Sequence, residues 1–156
     1  MSVDHDSIKA NDLLVEGKKL KAEGKHEEAI ACYDKAIEIK PEFTDVWKSK
    51  GDALEKLERY DDAIACYDKV IEIDPKSRYA WDLKGVVLEE LERYDDAIAS
   101  FDKAIEIVPK DAFAWRRKGN SLAKLGRYDD ALVSFDKAIE IDPKDGLACV
   151  LKGLLL

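Results

Sequence analysis

Pro41, Pro75, Pro109 and Pro143 are the only prolines in the chain, and each follows the last by 34 residues. A fixed period of this length marks a row of stacked units rather than one globular core, because each unit is too small to bury its own apolar face. The phrase leading to each proline also returns: GKHEEAIACYDKAIEIKP, ERYDDAIACYDKVIEIDP, ERYDDAIASFDKAIEIVP and GRYDDALVSFDKAIEIDP. The 156 residues are 38% charged and 46% hydrophobic, dominated by Ala, Glu, Lys, Leu, Asp and Ile, which favours helix over sheet.

Each unit resolves into two helices. In the second unit Trp47, Gly51, Leu54 and Leu57 recur at helical intervals. ERYDD then interrupts the pattern; Asp61 is expected to cap the following helix and Asp62 to favour its positive dipole end. That helix carries Ala63, Ile64, Tyr67, Val70, Ile71 and Ile73, and it is expected to stop at Asp74, since the residue before a proline is pushed out of the α region. Gly24 and Gly126 suit a left-handed helix stop, and Glu58 and Glu92 hold the same place in the middle units. The boundaries fall at 10–43, 44–77, 78–111 and 112–145, with an extension at 1–9, expected to fray, and a partial fifth helix or cap at 146–156.

These residues carry a family resemblance. Trp47, Gly51, Leu54, Tyr60, Ala63, Tyr67, Val70 and Pro75, then Trp81, Gly85, Leu88, Tyr94, Ala97, Phe101, Ala104 and Pro109, and again Trp115, Gly119, Leu122, Tyr128, Ala131, Phe135, Ala138 and Pro143, resemble the tetratricopeptide repeat (TPR). The first unit keeps Gly17, Leu20, Ala29, Tyr33, Ala36 and Pro41 but has Leu13 and His26 at the tryptophan and inter-helix tyrosine places. The resemblance implies an all-α fold, a right-handed α-solenoid of antiparallel helix pairs whose first helices line a concave groove for a peptide or helix of a partner protein.

Laid in register, the second and third units agree at 21 of 34 positions, and their differences collect on the first helix. Carried over from the family, the groove positions are Lys48, Ser49 and Asp52 beside Asp45, then Tyr79, Asp82, Leu83 and Val86, then Phe113, Arg116, Arg117 and Asn120. Asn11, Leu14, Val15 and Lys18 hold the same places in the first unit. Tyr79, Leu83, Val86, Phe113, Leu147 and Leu151 form an apolar strip, and exposed apolar strips mark interaction sites. Arg116, Arg117 and Asn120 beside it suit a carboxylate or backbone carbonyls. The expected ligand is an amphipathic helix or extended peptide with apolar anchors and an acidic group. A carboxylate clamp of the kind found in chaperone co-factors of this family does not match: Lys48 and Arg117 fit, but Asp52, Leu83 and Phe113 replace its two asparagines and a lysine.

The tail GLACVLKGLLL starts a fifth first helix with Cys149, Gly153 and Leu156 at expected core positions. Leu147, Val150, Leu151, Leu154 and Leu155 leave it too few polar residues for a solvated cap. The chain is then a piece of a longer array, or these residues form an oligomer edge, a homodimer contact, in a self-assembling structural module. The close likeness of the units also fits a designed repeat scaffold without a natural partner.

Other classes find little support. A net charge of −8 disfavours non-specific nucleic-acid binding and anionic membrane surfaces. No apolar run approaches the roughly 20 residues that span a bilayer, and MSVDHDSIKAND lacks a signal pattern. Three cysteines at no framework spacing point to reduced thiols and a cytoplasmic location. The pairs Asp61/Asp62, Asp95/Asp96 and Asp129/Asp130 recur in architecture, His5 and His26 have no companions at metal-ligand spacing, and Cys149 holds a packing place. No catalytic, cofactor or metal residue is assigned, and the reading is non-enzymatic.

Overall fold

A computed structural model describes the backbone of residues 2–156 and the side chains of residues 5–156. The chain divides into two compact units, Met1–Pro75 and Lys76–Leu156. The first contains α1 (Ser2–Ala22), α2 (His26–Ile39), α3 (Thr44–Lys56) and α4 (Tyr60–Ile73). The second contains α5 (Arg78–Glu90), α6 (Tyr94–Ile107), α7 (Ala112–Lys124), α8 (Tyr128–Ile141) and α9 (Gly146–Leu155). Every regular element among the described residues is a helix, and the fold is an all-α solenoid of helix pairs.

Glycine against aromatic sets the pairing distance. A Cβ at Gly51 would lie 2.6 Å from the Tyr67 ring, one at Gly85 2.6 Å from Phe101, and one at Gly119 2.7 Å from Phe135. Each ring is fully buried, as are the alanines four residues before it. The helices of a pair meet backbone to ring, and each aromatic contributes a large share of the apolar burial. The tryptophans act at the edge of this core. The indole N–H of Trp47 donates to the Pro41 carbonyl at 2.8 Å, and that of Trp115 to the Pro109 carbonyl at 3.1 Å. Proline and tryptophan thus share the period because one fastens the turn made by the other.

The helix starts correct one expectation. Asp61 is not a cap: α4 begins at Tyr60, its N-cap is Arg59, and no side chain closes that end. The same holds at Arg93 and Arg127. Starting one residue early puts both aspartates inside the first turn, where their charge complements the free N–H groups. Asp62, Asp96 and Asp130 also pair with Arg59, Arg93 and Arg127 at 3.0, 2.8 and 2.9 Å. True side-chain caps occur on α5, α7 and α9: Ser77, Asp111 and Asp145 accept from the amides of Ala80, Ala114 and Ala148.

Two further expectations are revised. Of the stretch read as a frayed extension, Met1 and the side chains of Ser2, Val3 and Asp4 lie outside the described residues; from Ser2 onward the backbone continues α1, with no breaker before Gly24. In α9 the expected core residues Cys149, Gly153 and Leu156 are exposed, while Ala148 is buried. Leu151 and Leu155 pack against Ile98, Leu122, Ala131 and Phe135. The core that α9 meets lies toward α8, so the face one residue round the helix is the buried one.

Gly24 and Gly126 end their helices with φ of 79° and 76°, and Glu58 and Glu92 take the same left-handed turn at 57° and 55°. A side chain there is strained by about 1 kcal/mol relative to glycine. Glu58→Gly and Glu92→Gly are each expected to raise stability by about that amount, read as an upward shift in the urea midpoint with unchanged slope. An unchanged midpoint would show that the unfolded chain's gain in freedom cancels the relief.

Candidate functional site

In the first unit the predicted groove residues are tied to their own chain. Lys48 pairs with Asp45 at 3.1 Å, and Ser49 is buried. Asp52 accepts the Tyr67 hydroxyl at 2.9 Å and pairs with Lys21 of α1 at 3.5 Å. Burial, reinforced by Asp52, pushes the Tyr67 phenol well above its ordinary range, so it stays a donor. Leu14 is also buried, so its register does not face solvent here.

The second unit is built differently. Tyr79, Phe113 and Leu147 stand at one register, 34 residues apart, on α5, α7 and α9. Their exposures are 61%, 38% and 52%. Three large apolar side chains exposed at one register constitute a stripe. Leu83 and Val86 are half-buried beside it. The Arg78 guanidinium lies 4.4 Å from the Tyr79 ring centre, and those of Arg116 and Arg117 lie 5.5 and 5.6 Å from that of Phe113. Each aromatic is therefore stacked by cations that hold its face.

Those cations are neutralised from within. Arg116 Nε meets Asp145 at 3.0 Å, and Arg117 Nη1 meets Glu89 at 3.3 Å. Glu89 also accepts the Ser121 hydroxyl at 2.6 Å and the Asn120 amide at 3.4 Å. Arg78 reaches Asp111 at 3.2 Å and Asp82 at 3.5 Å. These ties join α5 to α7 and α7 to the cap of α9, so the polar groove residues chiefly position the stripe. Asp82 is only 4% exposed and is not a solvent-facing contact. Burial, with Asp111 beside it, pushes its carboxyl up to about 8, so it holds a proton at neutral pH.

Sequence reasoning named Asp82, Arg116, Arg117 and Asn120 but missed their partners Arg78, Glu89, Asp111, Ser121 and Asp145. Opposite charges 29 and 33 residues apart, near one repeat length, were the signal that could have found Arg116–Asp145 and Arg78–Asp111. The exposed Leu147, Val150 and Leu154 leave α9 with an open apolar side, whereas Leu151 and Leu155 are partly covered. Clefts of about 340 and 390 Å³ beside Trp47 and Trp115 share one register and follow from the repeat geometry. Among the described residues no cluster of His, Cys, Asp or Glu could hold a metal ion, and no helix is long and apolar enough to cross a membrane.

Tetratricopeptide repeat family models match residues 17–58, 48–112 and 112–145. The chain belongs to the tetratricopeptide repeat family. The TPR fold is shared with MamA from Desulfovibrio magneticus RS-1 at 22% identity and a TM-score of 0.86, over 94% of this chain and 83% of that one. YrrB, a TPR protein with an unusual peptide-binding site, is similar at 25% identity and a TM-score of 0.79, over 99% of this chain and 79% of that one. The first TPR of Spaghetti (RPAP3), bound to the HSP90 peptide SRMEEVD, is similar at 22% identity and a TM-score of 0.70, over 72% and 89%. No curated protein matches the sequence. The TPR chain is a protein-interaction module in kind.

Proposed function

We propose that this TPR chain is a non-enzymatic adaptor that binds a peptide or helix of a partner protein on the α5–α7–α9 face. The observation that carries this reading is the exposed stripe Tyr79, Phe113 and Leu147 at one repeat register. YrrB, a relative in fold, binds peptide, which supports the class of ligand. Anchors on successive first helices call for apolar residues a few positions apart on the ligand, which advances about 3.3 Å per residue when extended and about 1.5 Å per residue as a helix. Lys48 and Asp52 of the first unit remain candidates for polar contacts, with their internal partners as competitors, whereas Ser49 is buried. Arg116, Arg117 and Asn120 gain a partner carboxylate only by sharing it with Asp145 and Glu89, so apolar anchors dominate recognition. A net charge of −8 favours protein over nucleic acid as the partner.

The test is a peptide array with apolar residues at i, i+3 and i+6, followed by titration of the strongest binders. Tyr79→Ala and Phe113→Ala are each expected to weaken binding by about tenfold or more, as truncation of a central aromatic does at interfaces. Equal affinity for wild type and both variants would remove the stripe from the site. A second role, self-association, rests on the exposure of Leu147, Val150 and Leu154. It predicts a mass that rises with concentration in light scattering and falls back in Val150→Lys; a monomer throughout would discard it.

A further inference from the structure

The carboxylate at one register of the first helices is satisfied in two different ways. In α3–α4 the Tyr67 hydroxyl donates to Asp52 at 2.9 Å and to Glu55 Oε2 at 3.4 Å. One repeat on, Phe101 takes the place of Tyr67 and Val86 that of Asp52, while Glu89 keeps that of Glu55. The ring that Glu89 faces in its own helix pair therefore carries no hydroxyl, and a buried carboxylate without donors is costly. Glu89 turns to α7 instead. Its Oε1 accepts the Ser121 hydroxyl at 2.6 Å and the Asn120 amide at 3.4 Å, and its Oε2 lies 3.3 Å from Arg117 Nη1. In the fourth repeat the register passes to Ala123, which has no carboxylate to place.

This exchange matters because of where Arg117 and Asn120 stand. The Arg117 guanidinium lies 5.6 Å from the ring centre of Phe113, the middle member of the Tyr79–Phe113–Leu147 stripe. Arginine and amide together would receive an acidic group on a ligand. Glu89 supplies that group from beneath: its side chain is 7% exposed, against 26% for Arg117. A ligand carboxylate arriving at Arg117 would come up against Glu89, like charge facing like charge in a half-buried place, and such repulsion sets specificity. The inner pair is also left incomplete. Glu89 Oε2 and Arg117 Nε are buried without a hydrogen bond, so the contact is end-on rather than bidentate.

We propose that Glu89 is a specificity-determining residue of the stripe: it holds Arg117 and Asn120 from within as a built-in substitute for a ligand carboxylate. The chain then selects partner segments with apolar anchors and no acidic residue beside the anchor that meets Phe113. The acidic group expected of the ligand is supplied by the protein itself. The inference rests on the peptide reading of the stripe and narrows it.

The probes are phenylacetate, which offers a ring to the stripe and a carboxylate to Arg117, and its neutral twin phenylacetamide. Each is titrated into the isotope-labelled full chain while NMR follows the side-chain N–H signals of Arg117 and Asn120. Wild type is expected to show no preference for the acid. On Glu89→Gln phenylacetate is expected to bind about tenfold more tightly than on wild type, with phenylacetamide unchanged. Glu89→Ala installs the residue that the fourth repeat carries at this register and is expected to give the same shift. Asp102→Asn removes the same charge from the Lys118 pair and is expected to change neither ligand, which separates a local effect from net charge. Equal binding of phenylacetate to wild type and both Glu89 variants, or a preference for it on wild type, would overturn the proposal. So would a peptide array in which acidic segments outrank neutral ones on wild type. An array without any binder, beside a gain in the Glu89 variants, would remove the peptide reading and leave Glu89 as the occupant of Arg117.

Discussion

Gly85→Ala is expected to destabilise the second unit by about 1–3 kcal/mol, even though the same change in a solvated helix stabilises by about 1 kcal/mol. The new methyl would stand 2.6 Å from Phe101 Cε1 and 2.7 Å from Cζ. Phe101 is fully buried, so its ring has nowhere to move and α5 must separate from α6. The sign should reverse in a Phe101→Leu background. Leucine alone leaves a void and costs stability, but the smaller side chain frees the space the methyl needs. Adding Gly85→Ala to Phe101→Leu should then recover stability, with a coupling of about 1–3 kcal/mol between the two sites. Urea unfolding of the four proteins measures it. Additive effects would show that glycine is there for some reason other than the ring.

That glycine and ring meet was legible before any coordinates, since Gly51 with Tyr67 and Gly85 with Phe101 repeat at fixed offset. Repetition prints every local rule several times, and the helix pairs follow. It fails where a position differs between repeats. One register holds Lys48, Asp82 and Arg116 in turn, and its environment depends on what the neighbouring helix brings. Arg116 meets the Asp145 cap as an ion pair, whereas Asp82 meets the Asp111 cap as a second carboxyl that keeps its proton. Nothing in the periodicity says that the first remains partly solvated and the second becomes buried. The Asp61 caps failed for a related reason: a repeated ERYDD fixes the turn but not which residue begins the helix, and Tyr60 begins it.

The Asp82–Asp111 contact makes the second unit sensitive to pH in a direction opposite to ordinary acid unfolding. In the folded chain burial and Asp111 hold the Asp82 carboxyl up to about 8, while Arg78 pulls the other way without prevailing. Unfolded, the same group titrates near 3.9. Between these values the native state binds a proton that the unfolded state lacks, so stability falls as pH rises from about 4 to about 8. The loss attributable to this group is on the order of a few kcal/mol and is complete once Asp82 ionises in the folded chain. Tyr79, Arg78, Asp111 and Asp82 are the titratable groups in this contact. Asp82→Asn keeps a donor toward Asp111 without needing a proton. Its melting temperature is expected to match wild type near pH 4.5 and to exceed it by several degrees at pH 8.5, each kcal/mol moving a chain of this size by about 2–4 °C. Because Asp111 also caps α7 by accepting from Ala114, the wild-type chain should lose helix signal at that end first at high pH. Parallel melting curves for wild type and Asp82→Asn across this range would show that Asp82 is ionised throughout, with Arg78 alone holding both carboxylates.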